Sequence, residues 1–270
     1  MTTAAIPVAI VRVEGVNISR LDDLLVVEEA LEIRLGGRSL TITMRTPGND
    51  YELALGFLFA EGIIRGRDDL RSMRRLGNGV ENVVVIELQE EQLLQIGRPH
   101  RNFVTTSACG VCGKTSLLDL EANVCPRLPV DHIQVFPELL YHLPRCLRAR
   151  QSVFETTGGL HAAALFNLAG ELQDTREDVG RHNAVDKLVG AALLKGCLPI
   201  NRSILLVSGR ASFELVQKAL VAGVPIMAAV GAPSSLAVST AERSGMTLIG
   251  FLKNGRFNVY TGLGRIAGLE

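Results

Sequence analysis

The chain has 270 residues, of which 47% are hydrophobic, enough length and apolar material for about two domains. Its 28 basic and 28 acidic residues cancel, which excludes the global field of a protein that coats nucleic acid or an anionic membrane. The charge is unevenly placed, however: 11 basic and 15 acidic residues fall in positions 1–100 and 17 and 13 in the rest, so an anionic ligand is expected on the second part.

The opening Met1–Pro7 lacks the basic start and long apolar run of a secretory signal, and the most apolar stretch, Ala219–Val238, is broken by Pro225, Gly231 and Pro233. Export and membrane spanning are therefore not expected. Val26–Arg34 alternates apolar and charged residues, and after Gly36-Gly37 the run Leu40–Met44 alternates again, which predicts a β-hairpin. Pro47-Gly48-Asn49-Asp50 supplies a turn and an N-cap for an amphipathic helix carrying Leu53, Leu55, Phe57, Leu58, Ile63 and Ile64, stopping near Gly62–Gly66. Asn82–Leu88 reads as a further strand, making the first hundred residues a small α+β unit with a mainly antiparallel sheet.

From Arg98 the chain turns polar and enters Ser107-Ala-Cys-Gly-Val-Cys-Gly-Lys114, followed by a short helical pattern over Thr115–Glu121. Beyond it, Pro137 opens a helix through Leu147, and Leu160–Leu168 and Glu171–Arg176 pair as strands across Ala169-Gly170. Arg181–Leu194 is a helix closed by Gly196. Strands at Ser203–Val207, Pro225–Val230 and Thr247–Leu252 then alternate with helices at Ser212–Val221 and Ser234–Arg243. Two strands followed by alternating helix and strand describe a three-layer α/β/α domain. The expected division is a small α+β domain over 1–100, a mobile Cys-x-x-Cys loop with a short helix over 101–125, and the α/β domain over 126–270.

Five cysteines are an odd number without the density of a secreted disulfide scaffold, which points to a reducing cytoplasm and to chemistry or metal at any unusual spacing. Cys109-Gly-Val-Cys112-Gly113 is that spacing. Two thiols so placed can share a metal, close a disulfide or hand on a sulfur atom. The flanking glycines let the backbone turn and leave the sulfurs unshielded, and Lys114 with the following helix start lowers the thiol pKa. Zinc could be completed by Cys125 and His132, in the longer than usual pattern C-x2-C-x12-C-x6-H. A thioredoxin-like dithiol is also open, although the preceding segment is short and polar for one. Cys146 and Cys197 read as packing residues.

A second constellation runs through Thr157-Gly-Gly-Leu-His161, Glu177-Asp-Val-Gly-Arg-His-Asn-Ala-Val-Asp-Lys187, Ser208-Gly-Arg-Ala-Ser-Phe-Glu214 and Ala232-Pro-Ser-Ser235. Each cluster falls at a strand or helix end, where open α/β sheets hold their ligands. Arg181, His182 and Asn183 occupy the first turn of a helix, so a guanidinium joins free backbone amides in an anion site, and Ser208-Gly209-Arg210 repeats the device. Each cluster singly could be ordinary capping, since Asp178 and Ser208 are common residues at such junctions.

In these motifs the chain resembles the formate dehydrogenase accessory sulfurtransferase family, FdhD or NarQ. The resemblance is carried by Gly56-Phe-Leu-Phe-Ala-Glu-Gly62, Cys109-Gly-Val-Cys-Gly113, Thr157-Gly-Gly-Leu-His-Ala-Ala163, the Glu177–Lys187 run, Ser208-Gly-Arg210 and Phe251-Leu-Lys-Asn-Gly-Arg256. It implies a cytoplasmic sulfurtransferase that accepts sulfur from a cysteine desulfurase as a persulfide on Cys109, with Cys112 as partner. The sulfur passes to the molybdenum bis(molybdopterin guanine dinucleotide) cofactor, a bound substrate destined for formate dehydrogenase. The family's larger domain is cytidine deaminase-like, but the places of the deaminase motifs read His182-Asn183-Ala184 and Ser208–Ser212, without the glutamate and cysteines, so deamination is not expected. The cofactor is expected on Phe251, Leu252, Lys253, Asn254, Gly255 and Arg256 together with Arg181, His182, Asn183, Ser208, Gly209 and Arg210, and GDP is expected to mimic half of it. The expected assembly is a homodimer that binds no nucleic acid and no membrane. A zinc-binding protein, or a cofactor-insertion chaperone that transfers no sulfur, is the competing reading.

Overall fold

The computed structural model describes residues 4–76, 82–90, 103–104 and 125–269. The expected hairpin forms as β3 (Glu29–Leu35) and β4 (Arg38–Arg45), and α1 (Asp50–Ala60) follows from Asn49. The helix stops earlier than its apolar spacing suggests, because Gly62 turns left-handed at φ 69°, yet Ile64 beyond it is still buried. Strands β5 (Leu70–Leu76), β6 (Val83–Leu88) and β7 (Phe103–Val104) complete a five-stranded sheet in the order β5-β6-β3-β4-β7. This sheet is mixed, which corrects the mainly antiparallel expectation: β3 pairs with β6 and β4 with β7 in parallel. The reason is α1, which carries the chain across one face so that β6 returns beside β3 in the same direction.

A ribbon not anticipated from the sequence precedes this sheet. It consists of β1 (Ala5–Glu14) and β2 (Asn17–Val26), paired antiparallel over their whole length, and forms a two-stranded sheet of its own.

In the second half, α2 (Pro137–Arg148) and α3 (Ser152–Thr157) lead to β8 (His161–Asn167), β9 (Leu172–Asp178) and α4 (Arg181–Leu194). Then come β10 (Ser203–Val207), α5 (Phe213–Val221), β11 (Ile226–Ala229), α6 (Ser235–Ser244), β12 (Thr247–Lys253) and β13 (Arg256–Thr261). These strands form one sheet in the order β13-β12-β11-β10-β8-β9, parallel through β10, β11 and β12. Strand periodicity divides its side chains between two cores. Ala163, Leu165, Leu205, Val207, Met227 and Ala229 face α4, α5 and α6, while Ala162, Ala164, Phe166, Ile204, Leu206 and Ile226 face Leu140, Leu143 and Leu147 of α2. The expected α/β/α layering is present.

The first core does not end at the second sheet. Leu31 and Ile33 of β3, Leu53 to Leu58 of α1 and Val84 and Ile86 of β6 belong to the same apolar cluster as Val185, Leu188 and Leu215. α1 lies directly on α4, and the approach depends on two glycines: a Cβ on Gly56 would sit 1.8 Å from the Asp186 carbonyl oxygen, and one on Gly190 would sit 1.9 Å from that of Glu52. Among the described residues no helix is long and apolar enough to cross a membrane.

Candidate functional site

The order and direction of the strands bring four of the sequence clusters to one edge. Strands β9, β10, β11 and β12 all end there, β8 begins there with His161, and α4, α5 and α6 start from it. Past the strand ends the backbone continues as a bonded ledge: Gly231 N–H donates to the Gly209 carbonyl at 2.9 Å and Phe251 N–H to that of Gly231 at 3.0 Å. Ser208 is clamped to β8, donating its N–H to the Ala162 carbonyl and accepting the Ala162 N–H on its hydroxyl, both at 2.9 Å.

The three helix starts differ in how their free amides are met. Ser234 caps α6 by accepting the Ala237 N–H at 3.2 Å. Neither α4, after Gly180, nor α5, after Ser212, has a side-chain cap. The Ser212 hydroxyl turns instead to His182 Nε2 at 3.3 Å, and the same nitrogen lies 3.0 Å from Glu214. Two adjacent helix starts thus turn their positive dipole ends to the edge without a side-chain cap, an arrangement that suits an anion. Ser208 serves a strand, whereas Asp178 both accepts the N–H of Gly180 at the start of α4, as the capping alternative has it, and serves the joint between the sheets.

That joint is built from the Glu177–Lys187 run. Asp178 accepts from Gly180 N–H at 2.8 Å, from Asn183 Nδ2 at 3.0 Å and from Thr46 N–H at 3.2 Å, and pairs with Lys187 at 2.7 Å, both side chains being buried. Lys187 Nζ donates in addition to the Thr46 carbonyl at 2.9 Å, and Asn183 Nδ2 to that of Met44 at 2.8 Å. Glu177 accepts the Phe154 and Val153 N–H groups at the start of α3, and burial pushes its carboxyl above the usual range against those bonds. Asp186 pairs with Lys218 of α5 at 2.6 Å, four residues along each helix from the His182–Glu214 contact.

Of the residues expected to bind a cofactor, Arg181, Ser208, Gly209, Arg210 and Phe251 gather along the edge, with Lys253, Asn254, Gly255 and Arg256 exposed on the hairpin that leaves it. Arg181 stands out because its Nε is buried without a hydrogen-bond partner among the described residues, an orphaned donor that fits an anionic ligand. Phe251 has a left-handed backbone, φ 53°, at the irregularity between Gly250 and Lys253, which turns the chain at the ledge. Two side chains face elsewhere: Leu252 is fully buried in the second core, and Asn183 is buried in the joint. Cys109 and Cys112 lie outside the described residues, as does the helical pattern over 115–121.

His161 joins the group from the adjoining Thr157–His161 cluster. A Cβ on Gly209 would be 3.3 Å from its Nδ1. Burial first, and then the charges of Arg181 and His182, hold its imidazole below the usual range. Thr46 and Glu214 complete the arrangement. Glu214 ends a cluster visible in the sequence, whereas nothing local marks Thr46, whose role depends on the docking of β4 against α4.

The FdhD/NarQ family model matches residues 26–267. A sulfur carrier protein FdhD from Streptomyces avermitilis is 52% identical over 267 residues, 96% of this chain and 94% of the relative. One from Mycolicibacterium paratuberculosis is 52% identical over 90% of this chain and 91% of its own, and one from Sulfurisphaera tokodaii 45% identical over 89% and 90%. Among solved structures, a protein from Desulfotalea psychrophila named for a formate dehydrogenase accessory role superposes with a TM-score of 0.76 at 25% identity, covering 98% of this chain and all of that one.

Proposed function

Because the chain belongs to the FdhD/NarQ family, we propose that it is a cytoplasmic sulfur carrier serving formate dehydrogenase, taking sulfur from a cysteine desulfurase and delivering it to the molybdenum bis(molybdopterin guanine dinucleotide) cofactor. The reading rests on a juxtaposition. Strand β7 pairs in parallel with β4 at Thr41↔Phe103 and Ile42↔Val104, and so points from Val104 toward the Met44–Thr46 end of β4. That end is hydrogen-bonded to Asp178, Asn183 and Lys187 beside the Arg181 edge. Cys109 follows Val104 by five residues, a span of at most about 18 Å. A tether of that length supports a reading in which Cys109 serves the Arg181 edge.

In the first step the Cys109 thiolate attacks the outer sulfur of the desulfurase persulfide. The donor S–S bond breaks, the donor cysteine leaves as thiolate, and the sulfur is carried on Cys109 without net oxidation. The cofactor is the second substrate: its phosphates meet the α4 and α5 starts with Arg181, and a guanine meets the Phe251–Arg256 hairpin. When the outer sulfur is handed on, the Cys109 S–S bond breaks, Cys109 keeps the bonding pair and returns as thiolate, and the two electrons that make the transferred sulfur a sulfide would come from the reduced metal of the substrate cofactor. Two copies of the chain form the working unit.

Intact mass after incubation with a desulfurase and cysteine tests the reading. A gain of about 32 Da on the native chain, lost in Cys109→Ala, is expected. An adduct that survives this substitution overturns the assignment, and stoichiometric zinc with unfolding by chelator would favour a metal site instead.

A further inference from the structure

We propose that the β1–β2 ribbon is the self-association element of this protein, the outer edge of β2 pairing antiparallel with the same edge of a second copy about a two-fold axis at Leu21. The inference deepens the two-chain assembly proposed above and names its surface.

An isolated two-stranded ribbon is marginal in water. This one is long and apolar on both sides: Val11 is 58% exposed, Val13 64% and Ile18 73%, all on one face with Leu24, while Ile6 and Leu25 are exposed on the other. It packs against the body at its base, where Val26 meets Gly159. Among the described residues no strand continues either edge.

The two edges are not equivalent. Pro7 faces Leu24 and has no N–H to exchange, so that pair is of the non-hydrogen-bonded type; the adjoining bond from Val27 N–H to the Ala4 carbonyl fits the same alternation. Pro7 therefore obstructs the outer edge of β1. On β2 the same alternation turns the backbone groups of Ile18, Arg20, Asp22 and Leu24 outward. The Leu24 N–H is held meanwhile by the neighbouring Asp23 carboxylate at 2.9 Å, a local bond that pairing would exchange for a ladder bond.

The sequence of β2 is complementary to itself in one register. With Leu21 opposite Leu21, Arg20 faces Asp22 of the second copy and Ile18 faces Leu24, each twice by symmetry, and Ser19 faces Asp23. Moving the axis to residue 20 or 22 sets like charge against like. The matched register extends the exposed apolar row Val13–Ile18 across the axis onto Leu24 and Pro7 of the other copy. A partner of other chemistry has no reason to match this spacing.

Sedimentation of the full-length chain tests the proposal. The native protein is expected at twice its 29.1 kDa at micromolar concentration. Arg20→Asp and Asp22→Arg should each weaken self-association about tenfold or more, since both charge pairs become repulsive. Mixing the two variants in equal amounts should restore a dimer, because every reversed charge then meets its opposite, and the double variant should dimerise alone. The sites are exposed, so circular dichroism should report unchanged folding. A dimer indifferent to both single variants, or variants that do not pair when mixed, overturns the ribbon while leaving two-chain assembly standing; a monomeric native chain overturns both. The persulfide mass assay reads the sulfur-carrier function separately.

Discussion

Lys187 shows how one side chain holds the site's two walls together. Its ammonium is buried and shared between Asp178 and the Thr46 carbonyl, so β4 and the start of α4 meet at one charge. Lys187→Met would leave Asp178 buried without its cation, at a cost of about 3–5 kcal/mol in urea unfolding, and adding Asp178→Asn should recover part of that loss. Arg181 is the contrasting case. With its Nε unpartnered, Arg181→Ala should abolish the thermal shift given by millimolar GDP while moving the melting point of the free chain by little, about 0.5 kcal/mol or less. His161 adds a pH dependence. Its depressed imidazole means that the unfolded chain binds the proton more readily, so its share of stability is complete above about pH 6.5 and is lost as pH falls through the folded value. His161→Gln should flatten the acid side of the melting-temperature profile. The sequence grouped Arg181, His182 and Asn183 as equal ligand candidates, and the separation of Asn183 into the joint was not legible, because its acceptor, Met44, lies far off in the chain.

At the scale of elements, the α1–α4 contact is the least forgiving. An alanine at Gly56 or Gly190 would place a methyl within bonding distance of the opposing backbone, and backbone cannot rotate aside as a side chain can. Each substitution should cost about 1–3 kcal/mol or more in thermal unfolding and, by lifting α4, weaken GDP binding as well. A substitution at Gly264, where nothing lies within 4 Å of a Cβ, is the control. Most helices and strands of the second half were legible from periodicity and caps, Ser203–Val207 and Arg181–Leu194 to the residue, but the short α3 and the edge strand β13 were not. β5 was not, since Leu70–Leu76 sets Arg71, Arg74 and Arg75 among its apolar residues without the alternation of a half-buried strand. The β1–β2 ribbon escaped notice for the opposite reason: apolar residues fall on both of its faces, a pattern that no single buried side produces.

For the molecule as a whole, the decisive feature is that β3, α1 and β6 share their core with α4 and α5. Residues 126–270 expressed alone would expose the α4 face that α1 covers, and are expected to bind hydrophobic dye and aggregate; a cooperatively melting fragment would show that the α/β layers stand without the first hundred residues. The alternation of helix and strand patterns foretold an α/β chain, but the joint between the sheets is built from long-range pairs that no local pattern announces. The ledge of Gly209, Gly231 and Phe251 has a further consequence for how such a protein can change over time. The floor of the proposed binding edge is peptide backbone, and a Cβ on Gly231 would crowd the Gly209 carbonyl at 3.0 Å and Arg210 at 3.1 Å. Point mutation has little to work with there. With the proposed cargo seated there, drift in recognition would fall to the rim, at His161, Arg181, Arg210 and the 251–256 hairpin, so a lineage could retune that cargo while the surface beneath it stays the same.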